Sequence, residues 1–154
     1  MTQTLAEALE REHVDIDAGI EQFTAGVAAG KPVERPMLAA IEALRRHIYL
    51  EEAILFPPLR AAGMFGPVMV MLHEHGRMWR TLDDLEPLVR QGGTDARVAG
   101  LCADLVSQLQ AHNPKEEQIL YPQADDVLND PANRELREFL ASGSMPDGWV
   151  CESA

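Results

Sequence analysis

Two segments of this chain place a histidine four residues before a glutamate and then close in the same way. His47-Ile48-Tyr49-Leu50-Glu51-Glu52-Ala53-Ile54-Leu55-Phe56-Pro57 recurs sixty-five positions later as His112-Asn113-Pro114-Lys115-Glu116-Glu117-Gln118-Ile119-Leu120-Tyr121-Pro122. Residues four apart on a helix share a face about one turn from each other, so each His-x3-Glu can bring an imidazole nitrogen and a carboxylate oxygen to one partner. The repeat extends further back, because Glu12-His13-Val14-Asp15-Ile16 matches Glu74-His75-Gly76-Arg77-Met78 at an offset of sixty-two. Each half of the chain therefore reads as a helix hairpin carrying one lone histidine and one His-x3-Glu.

If the four helices face one axis, His13, His47, Glu51, His75, His112 and Glu116 reach a common internal volume. Four neutral imidazoles with two carboxylates form a mixed nitrogen and oxygen set, which suits iron, manganese or zinc better than calcium or a thiolate-seeking metal. Two ions fit this set if both carboxylates bridge, and the ligand charge of −2 would offset part of theirs. The competing reading makes the histidines satisfied or pH-sensitive core groups. That four of the five histidines fall on matching positions of a twofold repeat favours the metal.

His73 lies two positions before His75 and so points about 200° away from it, toward solvent. Glu52 and Glu117 are rotated by about 100° from the ligand carboxylates and read as helix-edge charges, with service as proton acceptors for ligand imidazoles the alternative. Glu12 and Glu74 share this ambiguity. Phe56 and Tyr121, at equivalent positions beside the prolines, read as packing at the end of the bundle, and Tyr49 and Trp79 as structural. The sulfurs of Met64, Met69, Met71 and Met78 fall on several faces, which indicates core filling.

Positioning these residues takes four helices. Leu5, Leu9, Ile16, Ile20, Phe23 and Val27 follow the helical period, and Gly30 to Pro36 breaks it. Met37, Leu38, Ile41, Leu44, Ile48 and Ile54 mark a second helix that Pro57-Pro58 should end or bend. A third runs from Val68 toward Arg90, with Pro87 near its end, and a fourth follows Gly92-Gly93 with Thr94 or Asp95 as its cap. Pro114 predicts a local distortion beside the second His/Glu pair. A short amphipathic helix is expected around Asn133 to Leu140. The fold class is all-α: an antiparallel up-down-up-down four-helix bundle with a short extra C-terminal helix. The bundle and that helix take residues 1–141, and an extended tail takes 142–154.

At 154 residues and 46% hydrophobic content the chain can bury one core without disulfides. A net charge of −12 with a pI near 4.7 leaves no basic stripe for nucleic acid and disfavours anionic membranes. No apolar run reaches the roughly 18 residues of a membrane span, and the N-terminus lacks the pattern of a signal peptide. With two cysteines and no CxxC, a reduced, cytoplasmic setting is expected. Cys102 reads as an inert core residue and Cys151 as a tail residue open to solvent.

With a lone His, His-x3-Glu, a lone His and His-x3-Glu in order, glutamate doublets and Leu-Phe-Pro or Leu-Tyr-Pro closures, residues 5 to 122 resemble the hemerythrin family, specifically the bacterial HHE cation-binding domain. The resemblance implies a four-helix bundle holding a non-haem di-iron centre with bridging glutamates and an oxo or hydroxo bridge, with zinc or manganese as substitutes. It also implies that O2, NO or iron is bound or sensed, the ligand being a small diatomic or peroxide, by a monomer or homodimer. The alternative is a di-iron oxidoreductase acting on nitric oxide or peroxide in stress defence. The sequence departs from the invertebrate oxygen carriers, which have His-x3-His on the third helix where Trp79 follows His75 here, and His-x4-Asp where this chain has His112-x3-Glu116. It is similar to bacterial iron-sulfur repair proteins, but without their cysteine-containing N-terminal domain.

Overall fold

The computed structural model describes residues 2–154. Helix α1 (Leu5–Ala28) opens on a capping box in which the Thr4 side chain and Glu7 satisfy each other's backbone N–H, and Asp125 accepts from the N–H of Leu5 at 3.0 Å. It is followed by α2 (Glu34–Leu50), α3 (Phe56–Ala61), α4 (Phe65–Arg90), α5 (Val98–Lys115), α6 (Tyr121–Val127) and α7 (Asp130–Ser142). A five-residue π turn joins α2 to α3 at Glu51–Leu55, and another joins α5 to α6 at Glu116–Leu120. No strand occurs among the described residues, and none of their helices is long and apolar enough to cross a membrane. Pairing of α1 with α2 and of α4 with α5, closed by α2 on α4 and α1 on α5, gives the expected four-helix bundle, with α7 as the extra C-terminal helix.

Two boundaries differ from the sequence expectation, and one expected distortion has a different cause. Pro57-Pro58 does not stop the second helix: the prolines enter the first turn of α3, where missing N–H groups do least harm. The start of α5 takes no side-chain cap from Thr94 or Asp95. Arg97 is its N-cap, and Asp95 instead accepts the N–H of Arg97 at 2.9 Å in the turn before the helix. The distortion expected from Pro114 does occur, as the π turn at Glu116, yet Pro114 is not its common cause. The equivalent π turn at Glu51 forms where Tyr49 stands in place of that proline. What the two share is Pro57 or Pro122 just beyond. Each lacks a donor and would crowd the carbonyl four residues back, and widening the preceding turn to an i→i−5 bond accommodates the ring.

Two apolar layers bracket the histidine level. Ile16, Ile20, Phe23, Ile41, Leu44, Leu82 and Leu105 belong to one, and Leu5, Leu9, Leu50, Leu55, Phe56, Leu72 and Leu120 to the other. Each ligand-candidate histidine falls on its helix between members of the two layers, as His13 does between Leu9 and Ile16. The polar stratum is thus held in register by packing on both sides. Beyond Gly143 the chain runs without helix along α2 and α4. Trp149 meets Tyr49 and Trp79 edge-on, at 5.0 and 5.5 Å between ring centroids. Cys151 is buried there, against the expectation of an exposed tail thiol, because this segment packs on the bundle.

Candidate metal centre

The structure brings His13, His47, Glu51, His75, His112 and Glu116 together, each no more than 4% exposed. His73 is exposed, as its helical phase required. The rings pair within hairpins: His13 with His47 at 4.9 Å between centroids, and His75 with His112 at 5.0 Å. Ligand atoms of Glu51, His75, His112 and Glu116 form one cluster within 4.8 Å, and those of His13, His47 and Glu116 form another. The carboxylates join the two clusters. Glu51 directs Oε2 to Nε2 of His47 at 3.4 Å and Oε1 to Nε2 of His75 at 3.1 Å. Glu116 holds Oε1 at 3.2 Å from Nε2 of His13 and 3.1 Å from Nε2 of His112.

Every one of the four imidazoles turns its Nδ1 to a carboxylate outside the cluster. His47 meets Glu12 at 2.8 Å and His112 meets Glu74 at 2.9 Å, each within its own hairpin. His13 meets Glu117 and His75 meets Glu52, each at 2.7 Å and across hairpins. An ionised carboxylate has no hydrogen to give, so Nδ1 carries the proton and donates, which leaves Nε2 facing inward. Glu12, Glu52, Glu74 and Glu117 are therefore not edge charges, which corrects the sequence reading for Glu52 and Glu117. The clue was present: the Glu-His and Glu-Glu dipeptides are both duplicated.

Tyr121 is a larger correction. Its side chain is fully buried, with the hydroxyl 2.7 Å from Oε2 of Glu51, 2.9 Å from Nε2 of His47, 3.0 Å from Nε2 of His13 and 3.2 Å from Oε1 of Glu116. Phe56, its counterpart, stacks on His75 at 5.6 Å and contributes no oxygen. Residues five apart on an α-helix point about 140° from each other, so an unbroken α-helix would turn both aromatics away from the ligand carboxylates. The i→i−5 turns bring position five back over position zero, so Phe56 and Tyr121 face the site with Glu51 and Glu116.

The donor set fits cations. Glu51 Oε1, His75 Nε2 and Glu116 Oε2 are buried with no hydrogen-bond partner, a penalty of about 1–3 kcal/mol for each such group unless something else satisfies it. Their lone pairs converge on one volume. Neighbouring ligand atoms at right angles around an ion with bonds of about 2.1 Å lie about 3.0 Å apart, close to the contacts of 3.1 and 3.2 Å in this cluster. Six carboxylates face the four imidazoles, while Arg46 at Glu12 and Lys115 at Glu74 supply two compensating charges. A buried excess of negative charge remains for protons or metal ions to neutralise.

In the metal-free protein protons do this. Burial by itself pulls the His47 imidazole down, but the Glu51 and Glu12 carboxylates outweigh it and hold it at about 10. His112 is likewise opposed by burial and held at about 9 by Glu116 and Glu74, and His75 stands well above its ordinary value through Glu116, Glu51 and Glu52. The folded chain thus keeps protons that an unfolded histidine releases near pH 6.5. These groups stabilise the metal-free fold fully below pH 6.5, and the contribution is lost as pH rises through about 9 to 10. Thermal melts of chelator-treated protein should show the midpoint falling from pH 6.5 to 10; a flat or rising midpoint would contradict the protonated cluster.

A helical bundle with a buried, carboxylate-bridged group of histidines is a metal-binding architecture. The family model described as Hemerythrin HHE cation binding domain matches residues 4–124, and the chain belongs to that family. Searches of curated proteins and of solved structures give no match.

Proposed function

We propose that this protein is a non-haem di-iron protein that binds or senses a small ligand such as O2 or NO, with His13, His47, Glu51, His75, His112 and Glu116 as metal ligands. The observation that carries the reading is the placement of Glu51, one oxygen toward His47 and the other toward His75, between two histidine pairs. One carboxylate serving two pairs supports two ions. Nitrogen and oxygen donors without thiolate support iron, with zinc or manganese as substitutes. When bound, the irons supply redox equivalents and open coordination positions.

The chain's residues set the terms for those ions. The four outer carboxylates fix the tautomer of each imidazole and hold the Nε2 atoms inward. The Tyr121 hydroxyl occupies the His13/His47 half, while the His75/His112 half has only the Phe56 ring, so the second half is where an added ligand finds room. A cavity of about 500 Å³ lies beside Glu52 and Phe56. The cluster itself is closed to anything large, which fits a diatomic or peroxide.

Anaerobic loading with ferrous iron should give two irons per chain, and exposure to air should produce near-ultraviolet and visible absorption. One metal per chain, or a tightly held stoichiometric zinc, would overturn the reading. The second reading, an oxidoreductase acting on nitric oxide or peroxide, draws support from Tyr121, an O–H donor inside the donor set. Mixing the diferrous protein with either compound separates the two, since repeated turnover means enzyme and a single stoichiometric event means binding.

A further inference from the structure

Residues 139–153 lie beyond the family-matched region, yet they reach the centre twice. The Arg46 guanidinium donates Nη1 to Glu12 Oε2 at 3.0 Å, and it donates to the carbonyls of Gly143 at 2.8 Å, Leu140 at 3.2 Å and Phe139. The end of α7 thereby orients the guanidinium that holds Glu12, the carboxylate behind His47. At the other contact the backbone N–H of Glu152 donates to Glu52 Oε1 at 2.9 Å, while Glu52 Oε2 takes the Nδ1 proton of His75. His47 and His75 are the two imidazoles that touch Glu51.

The approach of this segment is built into α4. A Cβ on Gly76 would stand 2.3 Å from the carbonyl oxygen of Ser153, so only glycine lets the backbone lie there. Arg80 donates to that same carbonyl at 3.0 Å, Cys151 is buried against the bundle and the half-buried Trp149 meets Trp79 edge-on. By contrast, the carboxylates behind His112 and His13 take no contact from this segment: Glu74 is paired with Lys115, and Glu117 meets His13.

We propose that residues 139–153 act as a clamp that fixes the Glu51 edge of the metal centre by tying down Glu12 and Glu52, the carboxylates that orient His47 and His75. The clamp is a positioning device and touches no metal ligand directly. It rests on the metal-centre reading above. Loss of a carboxylate partner of a ligand imidazole lowers metal affinity by about 10- to 100-fold, which sets the scale of the effect.

The test uses the full chain with Gly76→Ala, which drives out Ser153, and Gly100→Ala as control, since a Cβ there meets nothing within 4 Å. A second variant ends the chain at Asp147 and removes the Glu152 N–H outright. Two readouts are taken: the rate at which a chelator extracts iron, and solvent exchange of the His75 Nδ1 proton by NMR in metal-free protein. Gly76→Ala and the shortened chain should keep helix content, lose iron at least about 10-fold faster and exchange the His75 proton faster, with Gly100→Ala unchanged. Wild-type rates in both variants would overturn the clamp. A wild-type protein that binds no iron would sink the metal reading instead, and the His75 proton would still decide the clamp.

Discussion

Glu116→Ala is expected to abolish metal binding, the largest loss of any single substitution in this chain. Glu116 is completely buried, and its two oxygens lie near Nε2 of three of the four imidazoles: His13 at 3.2 Å, His112 at 3.1 Å and His75 at 3.9 Å. Glu51 contacts two. Removing Glu116 therefore damages both halves, whereas losing one histidine damages one. The metal-free protein suffers as well. Against burial, the His112 charge keeps the Glu116 carboxyl well below its usual range, and Glu116 in turn holds His112 up. Taking away one partner of such a buried pair costs roughly 3–5 kcal/mol, a large share of the total stability of about 5–15 kcal/mol usual for a domain. Glu116→Gln keeps the shape and should fold where the alanine variant does not. It should retain less than one iron per chain by metal analysis, while His73→Ala should retain two. Two irons with the wild-type spectrum in Glu116→Gln would remove Glu116 from the bridge; an empty His73→Ala would mean the helical faces are misassigned.

The sequence was most informative where geometry is periodic. Four α-helical stripes and a twofold spacing of His and Glu placed the bundle axis and brought six side chains to it, because an α-helix repeats its faces every three to four residues. His73 was dismissed on the same phase and is indeed outside. The misses have separate origins. Tyr121 reads as end packing from its place beside Pro122, whereas the π turn after Glu116 brings its phenol over the site, where an unbroken α-helix would point it elsewhere. Glu52 and Glu117 were read as edge charges although a carboxylate one position past a ligand can still reach the next helix. Arg46 and the segment after Gly143 were not legible at all. Their role depends on how α7 and the chain end fold back on α2 and α4, contacts far apart in sequence with no repeat to announce them.

Tyr121→Phe is the second large effect, and it tests whether the two halves of the centre are inequivalent. In metal-free protein the hydroxyl donates to Glu51 Oε2 at 2.7 Å and lies near Nε2 of both His13 and His47. Burial, with Glu116 and Glu51, pushes the phenol well above its usual range, so it holds its proton there. Phenylalanine removes the shortest hydrogen bond to that buried carboxylate oxygen and leaves it only the longer His47 Nε2 contact at 3.4 Å, a destabilisation of about 1–3 kcal/mol in a chemical melt. In loaded protein the expected change is spectroscopic. The hydroxyl stands 2.7–3.2 Å from four atoms of the proposed ligands, the spacing of one more ligand atom beside others, so if it gave its proton up and joined ferric iron it would add visible absorption that Tyr121→Phe removes. Iron content should stay at two per chain, because all six proposed ligands remain. The exchange variant Phe56→Tyr with Tyr121→Phe moves the oxygen to the His75 half, where Phe56 now stacks. It should restore the tyrosine absorption and weaken azide binding, because the added oxygen fills the room left for an outside ligand. If wild type and Tyr121→Phe have the same visible spectrum and bind azide equally, Tyr121 is a hydrogen-bond donor to Glu51 only, and the inequality of the two halves does not rest on it.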